Sequence, residues 1–527
     1  MNKSLHSWKL ACLAAVSILI VSCGSAADYR DLLPADSFVT MSINPSSLMQ
    51  KGGIGDPEQN PLYVRIKSEI ENGRNFSDEE KQYLLSLLKN PCESGIDLKS
   101  DLFYFISGSS LNPEAMYVKG GVLLPIGDKA KFDALIARIN EKSGARAETA
   151  NGVSVIRIGE QGAVNGVCAY SDAACMLYFA QGPGDDAVAR VKELFAQKRS
   201  ESLMGNKVVA EQFAAKNDIN MVLSYAGLSS LANNPMLSSM PMMSAMMDAT
   251  VTGSVNFEKG RIVADAAVSY KDKESEEKVK EFYAYVKPQD GDLLRYLPAA
   301  TIGAVAYGLD GEKLFTVLSS LPGYGMMLAN PLVKQVMDAF DGDMVIAFSG
   351  MLPGSNNSVP VASLLAQVDD PSVVQTVIAN MPGMPVQQTG DGQYSLTMSG
   401  VTVLFGVKDG VLYCTTDALV KSALDGEQIA SLVSREKIFK GQSGSFYLDI
   451  AGLNEQLRQI LADKSGTSTE VQVLFALLGM FDNLESYGTM KGGTMVFNMA
   501  DKEQNSFKTI CDTTGELIRQ YVPGANL

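Results

Sequence analysis

"LPADSFVTMSI" at Leu33–Ile43 and "LPAATIGAVAY" at Leu297–Tyr307 decide how this chain is read. Each sets a Leu-Pro-Ala corner before a short apolar run with the composition of a strand. The second begins 264 positions after the first. A corner written twice predicts a fold written twice.

The correspondence extends well beyond the corners. "DLFYFISG" from Asp101 aligns with "DMVIAFSG" from Asp343, an offset of 242 that continues without a gap. Gly121–Ile126 falls on Ser363–Val368, and Asp128 falls on Asp370. Each Asp stands where a helix N-cap carboxylate would accept the free amides of the first turn. Behind them, Phe132, Leu135, Ile136 and Ile139 fall on one helical face and meet Val374, Val377, Ile378 and Met381 at the same spacing. Pro371 suits the first helical position, where its missing amide proton costs nothing. Further matches follow with drifting offset: "CMLYFA" with "GVLYCT", "YAGLSSL" with "DIAGLNEQL", and "FEKGRIVADAAV" with "MKGGTMVFNMA". Each copy closes on a helical segment, Ser275–Val286 and Ser506–Val522.

Strand–turn–strand signals such as Val407-Lys408-Asp409-Gly410 alternate with strand–helix steps. The expected fold class is therefore α+β, as two tandem homologous repeats. Each is a mostly antiparallel sheet covered by helices on one face. The repeats are expected at residues 23–290 and 291–527, with a linker near Val286–Asp292. The first carries a helical insert near 61–90, capped at Ser77 and stopped by Asn90-Pro91.

Residues 1–22 read as a signal peptide rather than structure. Lys3 and Lys9 precede an apolar run, Leu10–Val21, too short to span a membrane. It ends in Ile20-Val21-Ser22-Cys23, which looks like a lipobox, so Cys23 is the expected lipidation site; the alternative is an ordinary cleavage near Ala26-Ala27. Gly24 after the anchor points to the outer membrane, and the absence of an acidic cluster there to its periplasmic face. Cleavage would also remove His6 and Trp8, the only His and Trp in the chain. Without Lys3 and Lys9, 42 basic residues face 59 acidic ones, a net of −17. Such a surface argues against nucleic acid and anionic headgroups as partners. The membrane is engaged through the acylated Cys23.

The lipobox, the opening "LLPADSFVTMSINPSSL" and the doubled strand–helix plan resemble a family of Bacteroidetes envelope lipoproteins known only as a domain of unknown function. The resemblance spans nearly the whole mature chain. It implies a fold and an envelope address, and no activity. Ala300 stands in the second corner where the first has Asp36, so Asp36 is read as a turn or cap residue.

A mature chain without His has no Ser-His-Asp or Cys-His nucleophile and no His-based zinc site. Ser-x-x-Lys occurs at Ser275–Lys278 and Ser434–Lys437, in charged stretches that read as solvated helix faces. Asp290-Gly-Asp292 and Asp341-Gly-Asp343 read as turns before they read as Ca²⁺ ligands. Cys168 and Cys175 flank a hairpin tip, as a disulfide or as small buried hydrophobes. The Met-rich "MLSSMPMMSAMMD", Met236–Asp248, suggests Cu(I) thioether ligation. Its counterpart "VLFALLGMFD" sets Leu474, Leu477, Met480 and Phe481 against Met240, Met243, Met246 and Met247, which favours a packing helix. A groove for an apolar ligand is the intermediate reading. No metal and no cofactor are assigned. The expectation is a non-catalytic binding or scaffolding protein, taking a protein or apolar ligand in a cleft between the repeats. A His-free hydrolase acting on glycan, through two carboxyl groups, and a Cu(I)-handling protein are the alternatives.

Overall fold

The two corners are built alike. The computed structural model describes residues 28–53, 61–73, 76–107, 119–158, 164–181, 186–225, 246–247, 249–321, 323–352, 359–380, 383, 385–398, 400–462 and 468–521. Leu33 and Leu297 are both fully buried. The Leu33 carbonyl accepts the Leu203 amide at 3.0 Å, and the Leu297 carbonyl accepts that of Leu432 at 2.9 Å. Pro34 bridges to Ser202 and Pro298 to Ser431. A short 3₁₀ helix leads into each corner, Tyr29–Leu32 and Asp292–Tyr296.

The apolar runs after the corners are strands at the centre of their sheets. The first nine strands are β1 (Ser37–Ile43), β2 (Leu102–Ser107), β3 (Lys119–Pro125), β4 (Glu148–Ala150), β5 (Val153–Arg157), β6 (Val164–Tyr170), β7 (Ala174–Gln181), β8 (Ile219–Ser224) and β9 (Thr250–Glu258). They lie in the order 4-5-6-7-3-2-1-8-9, with every neighbouring pair antiparallel. β10 (Arg261–Ser269) and the short β11 (Val286–Lys287) follow. Then come β12 (Gly303–Asp310), β13 (Phe340–Leu352), β14 (Val359–Val368), β15 (Val386–Gly390), β16 (Gln393–Met398), β17 (Val401–Lys408), β18 (Val411–Thr415), β19 (Gly444–Asp449), β20 (Phe481–Thr489) and β21 (Gly492–Met499). Their order is 15-16-17-18-14-13-12-19-20-21, again all antiparallel. The turn at Asp409-Gly410 has φ 51° and 77°, the left-handed pair that a two-residue hairpin needs.

Local signals place the helices. In the insert, α1 (Pro61–Asn72) precedes α2 (Asp78–Lys89). Ser77 Oγ accepts the Glu80 amide at 3.3 Å while Glu80 accepts the Ser77 amide at 2.6 Å, a complete capping box. α3 (Lys129–Ser143) is capped by Asp128, which accepts the Lys131 amide at 3.1 Å. α4 (Ala187–Ala196) is capped by Asp186, and α5 covers Lys273–Phe282. Asp370 caps a turn instead of the helix itself: it accepts the Ser372 amide at 2.9 Å, and α6 (Val373–Ala379) starts beyond it. α7 (Ile450–Ala462), α8 (Thr469–Leu478) and α9 (Ser506–Tyr521) complete the set used below. Among the described residues, no helix is long and apolar enough to cross a membrane.

Helices cover both faces of the first sheet, not one as the sequence suggests. Phe103, Phe105, Leu123, Met176 and Tyr178 pack with Val188, Val191 and Leu194 of α4. On the opposite face, Ile156, Cys168, Tyr170 and Cys175 pack with Phe132 and Ile136 of α3. Along β6 the two clusters alternate residue by residue, as strand geometry requires.

The chain forms two compact units that depart from chain order. The first comprises Met1–Lys259, Ala266–Lys271 and Glu503–Leu527; the second comprises Gly260–Asp265 and Asp272–Lys502. The expected division at 290/291 differs from this in the two closing helices. α9 belongs to the first unit, where Phe507 meets Phe257 at 4.9 Å between ring centroids, and α5 belongs to the second.

Candidate functional site

The doubled Asp-Gly-Asp triplets meet in the second unit. β11 lies against β12 with Lys287 opposite Gly308. A Cβ at Gly308 would come within 2.2 Å of the Lys287 carbonyl oxygen, so only glycine admits this strap. The strap delivers Asp290 to Asp343 on β13. The two Asp343 oxygens accept the amides of Asp290 at 3.2 Å and Gly291 at 2.8 Å. Asp290 in turn accepts the Asp292 amide and the Gln367 side-chain amide, each at 2.8 Å. Gln367 Oε1 closes the ring by accepting the Asp343 amide at 2.6 Å. Around this ring, Lys287 pairs with Asp341, and Lys313 holds Asp310 at 2.9 Å.

Electrostatics separates the two carboxyls. Burial pushes Asp343 up to about 7; the Gly291 amide opposes this and the neighbouring Asp290 carboxyl adds to it. Burial alone would also raise Asp290, but the hydrogen bonds from Gln367, the Asp292 amide and Asp343 outweigh it and hold Asp290 below the usual range. The two carboxyls therefore titrate as a pair, with Asp343 the one that keeps its proton to higher pH. Two carboxyls with opposed shifts suit acid–base chemistry. Here, however, each of the four oxygens already has a protein donor, and Asp343 is only 3% exposed. The arrangement is a clasp on the strap.

A different surface is open. On the β12–β13 pair, Ala304, Ala306, Val345 and Ala347 face the core. Their alternates face the other way, and Tyr307 is 51% exposed and Ile346 57%. Exposed Cys414 of β18 pairs with Leu364 of β14, which itself pairs with Ile346, so the strip is continuous across strands. In the first unit, Ile106, Phe179 and Met221 are exposed large apolar residues on the sheet.

The remaining sequence candidates are placed as follows. Cys23, with its signal segment, lies outside the described residues, as do residues 226–245 and Asp248 of the Met-rich region. Met246 and Met247 are half-buried. The packing argument for that region weakens at its counterpart, because Leu474 and Leu477 are exposed while Met480 is buried. The Cys168 and Cys175 sulfurs sit 3.8 Å apart as buried thiols. Asp36 pairs with Arg190 at 2.7 Å on the surface. Ser434 and Lys437 are exposed, and Lys278 holds Glu274 at 2.8 Å on α5. Among the described residues, no group of His, Cys, Asp and Glu forms a metal-holding cluster. Sequence reasoning missed the meeting of Asp290 with Asp343 and the part played by Gln367. The repeated triplet was the only available signal.

An α+β architecture with antiparallel strands in both compact units, a closed carboxyl clasp and open apolar strips defines the class. The chain belongs to the family described as "Domain of unknown function (DUF4836)", which it matches over residues 29–440, from before the first corner to beyond the second. No curated protein and no solved structure matches it significantly.

Proposed function

We propose that this chain is a lipid-anchored cell-envelope protein, held by an acylated Cys23 at the periplasmic face of the outer membrane. It binds a protein partner and carries out no chemistry of its own. We propose further that it arose by tandem duplication, which the two matching strand orders support. The observation that carries the binding reading is the uncovered strip with Tyr307 and Ile346 at its centre, each more than half exposed. A soluble chain leaves such a patch open when something else covers it. The strip is a sheet face and small ligands favour concave sites, so a protein surface fits it better. With a net charge of −15 on the whole chain, the fitting partner sets cations around an apolar centre.

The test is native mass spectrometry of the full lipidated protein, gently extracted from its membrane. The expected result is a mass beginning at acylated Cys23 with one further polypeptide bound, and loss of that polypeptide in Tyr307→Asp/Ile346→Asp. A bare mass for the unsubstituted protein, or a complex that survives the double substitution, overturns the reading. The glycan-hydrolase reading has one observation in its favour, the opposed shifts of Asp290 and Asp343. It requires glycan cleavage that Asp343→Asn abolishes.

A further inference from the structure

A cleft of about 360 Å³ opens in the first unit between the end of α3, the β4–β5 hairpin and α4. α3 ends at Gly144 with φ 70°, which turns the chain into Arg146 and then β4. The hairpin pairs Glu148 with Val155, so Glu148, Val155 and Arg157 share one sheet face. Arg146 precedes this ladder by two residues, and Arg157 lies two residues beyond Val155. Val155 and Val188, both buried, belong to the core and form the apolar floor. Arg146 and Arg157 are exposed at the rim beside Glu148.

These two arginines differ from the others. Arg30, Arg65, Arg190, Arg199 and Arg435 hold carboxylates. Arg138, Arg295 and Arg458 lie over aromatic rings, Arg519 donates to the Gly515 carbonyl, and Arg261 is also engaged. Among the described arginines, Arg146 and Arg157 alone have no such partner, and both line the same cleft. In a chain with 59 acidic residues, a carboxylate neighbour is easily supplied. Two cations lining one cleft repel, and an oxyanion held by both relieves that repulsion. Neither position carries a cation in the other hairpin: with the Asn151-Gly152 and Asp391-Gly392 turns matched, Val386 and Thr397 stand there.

We propose that this cleft is a binding site for a small hydroxylated oxyanion, such as a phosphorylated or carboxylated polyol. The planar guanidinium forks of Arg146 and Arg157 take the oxyanion, for which two parallel N–H donors are well matched. Glu148 accepts a hydroxyl of the same ligand. The valine floor excludes water from one side and strengthens the charged hydrogen bonds. The α4 amides take no part, because Asp186 already accepts those of Val188 and Ala189 at 3.0 Å. This site is independent of the protein-binding strip in the second unit.

The experiment titrates the full chain with inorganic phosphate, glycerol 1-phosphate and gluconate, following heat and amide chemical shifts. The expected result is saturable binding, tighter for the two polyols than for phosphate, that weakens as salt is raised. Arg146→Gln and Arg157→Gln should each weaken it by about tenfold or more, as loss of a charge-assisted pair does. Arg65→Gln, whose arginine pairs with Glu69 on α1, should leave it unchanged. Glu148→Gln should abolish the preference for the polyols while sparing phosphate. Absence of saturable binding to the unsubstituted chain, or binding unchanged in the folded Arg146→Gln/Arg157→Gln chain, overturns the proposal.

Discussion

Asp101 and Asp343 stand at matched register positions of the two sheets and are held in different ways. Each precedes the residue that pairs with the last position of the apolar run after the corner, Leu102 with Ile43 and Met344 with Tyr307. In the first unit, Asn44 donates its side-chain amide to Asp101 at 3.0 Å. In the second, Gly308 takes that place and admits the strap, so Asp343 accepts the strap's amides and has the Asp290 carboxyl as a neighbour. Burial raises both acids; at Asp101 the hydrogen bonds from Ser42 and Asn44 oppose it, whereas at Asp343 a like charge adds to it. The same position thus keeps its demand, a partner for a carboxyl beside the corner strand, and changes the answer. The β4–β5 and β15–β16 hairpins repeat the lesson, with a pair of arginines in one and neutral residues in the other.

The sharpest way to break this comparison is at its common element. Leu33→Ala and Leu297→Ala should each cost about 2–5 kcal/mol, the range for emptying a fully buried leucine site. Hydrogen exchange with peptide resolution should show lost protection in β1–β9 for the first and in β12–β20 for the second. Equal loss in both sheets from either substitution would mean that the separate clusters around Leu33 and Leu297 do not act separately. Next in size is the proton on Asp343. A raised Asp343 binds its proton more tightly folded than unfolded, so its stabilisation is full below about 4 and is lost as pH rises through about 7. Asp290→Asn replaces the like charge with a donor, lowers Asp343, and should flatten the fall in urea stability between pH 5 and 8. The flattening should be about 1–3 kcal/mol. An unchanged slope would remove Asp343 from the account and leave the other raised acids, Asp101 and Asp31, as its source. The smallest effect belongs to the insert: Ser77→Ala should cost about 1 kcal/mol, visible as earlier exchange in α2 alone. Loss spreading into the sheet would show that the insert supports the first unit more than its surface position suggests.

The features legible in the sequence are those that short-range chemistry dictates. The corners, the Asp128 and Ser77 caps, the hairpin at Asp409-Gly410 and the apolar stripe of α3 each depend on residues a few positions apart. An amphipathic stripe says that a helix must be buried, but it does not say on which face of a sheet, so α3 and α4 on opposite faces were not foreseen. Apolar composition is equally silent on burial: Leu474 and Leu477 of α8 face outward. The carboxyl clasp joins residues 290 and 343 through a two-residue strand, and nothing local in either triplet announces the other. The paired arginines were illegible for the same reason, since their meaning comes from the partners they lack.

One consequence follows from α9 belonging with the first unit. A ribosome emits this helix only after every strand of the second unit. The earlier-made unit therefore waits for a segment made after the later one before it is complete. A chain stalled or clipped before α9 would lack a piece of the first unit, while the second unit would hold all of its own parts.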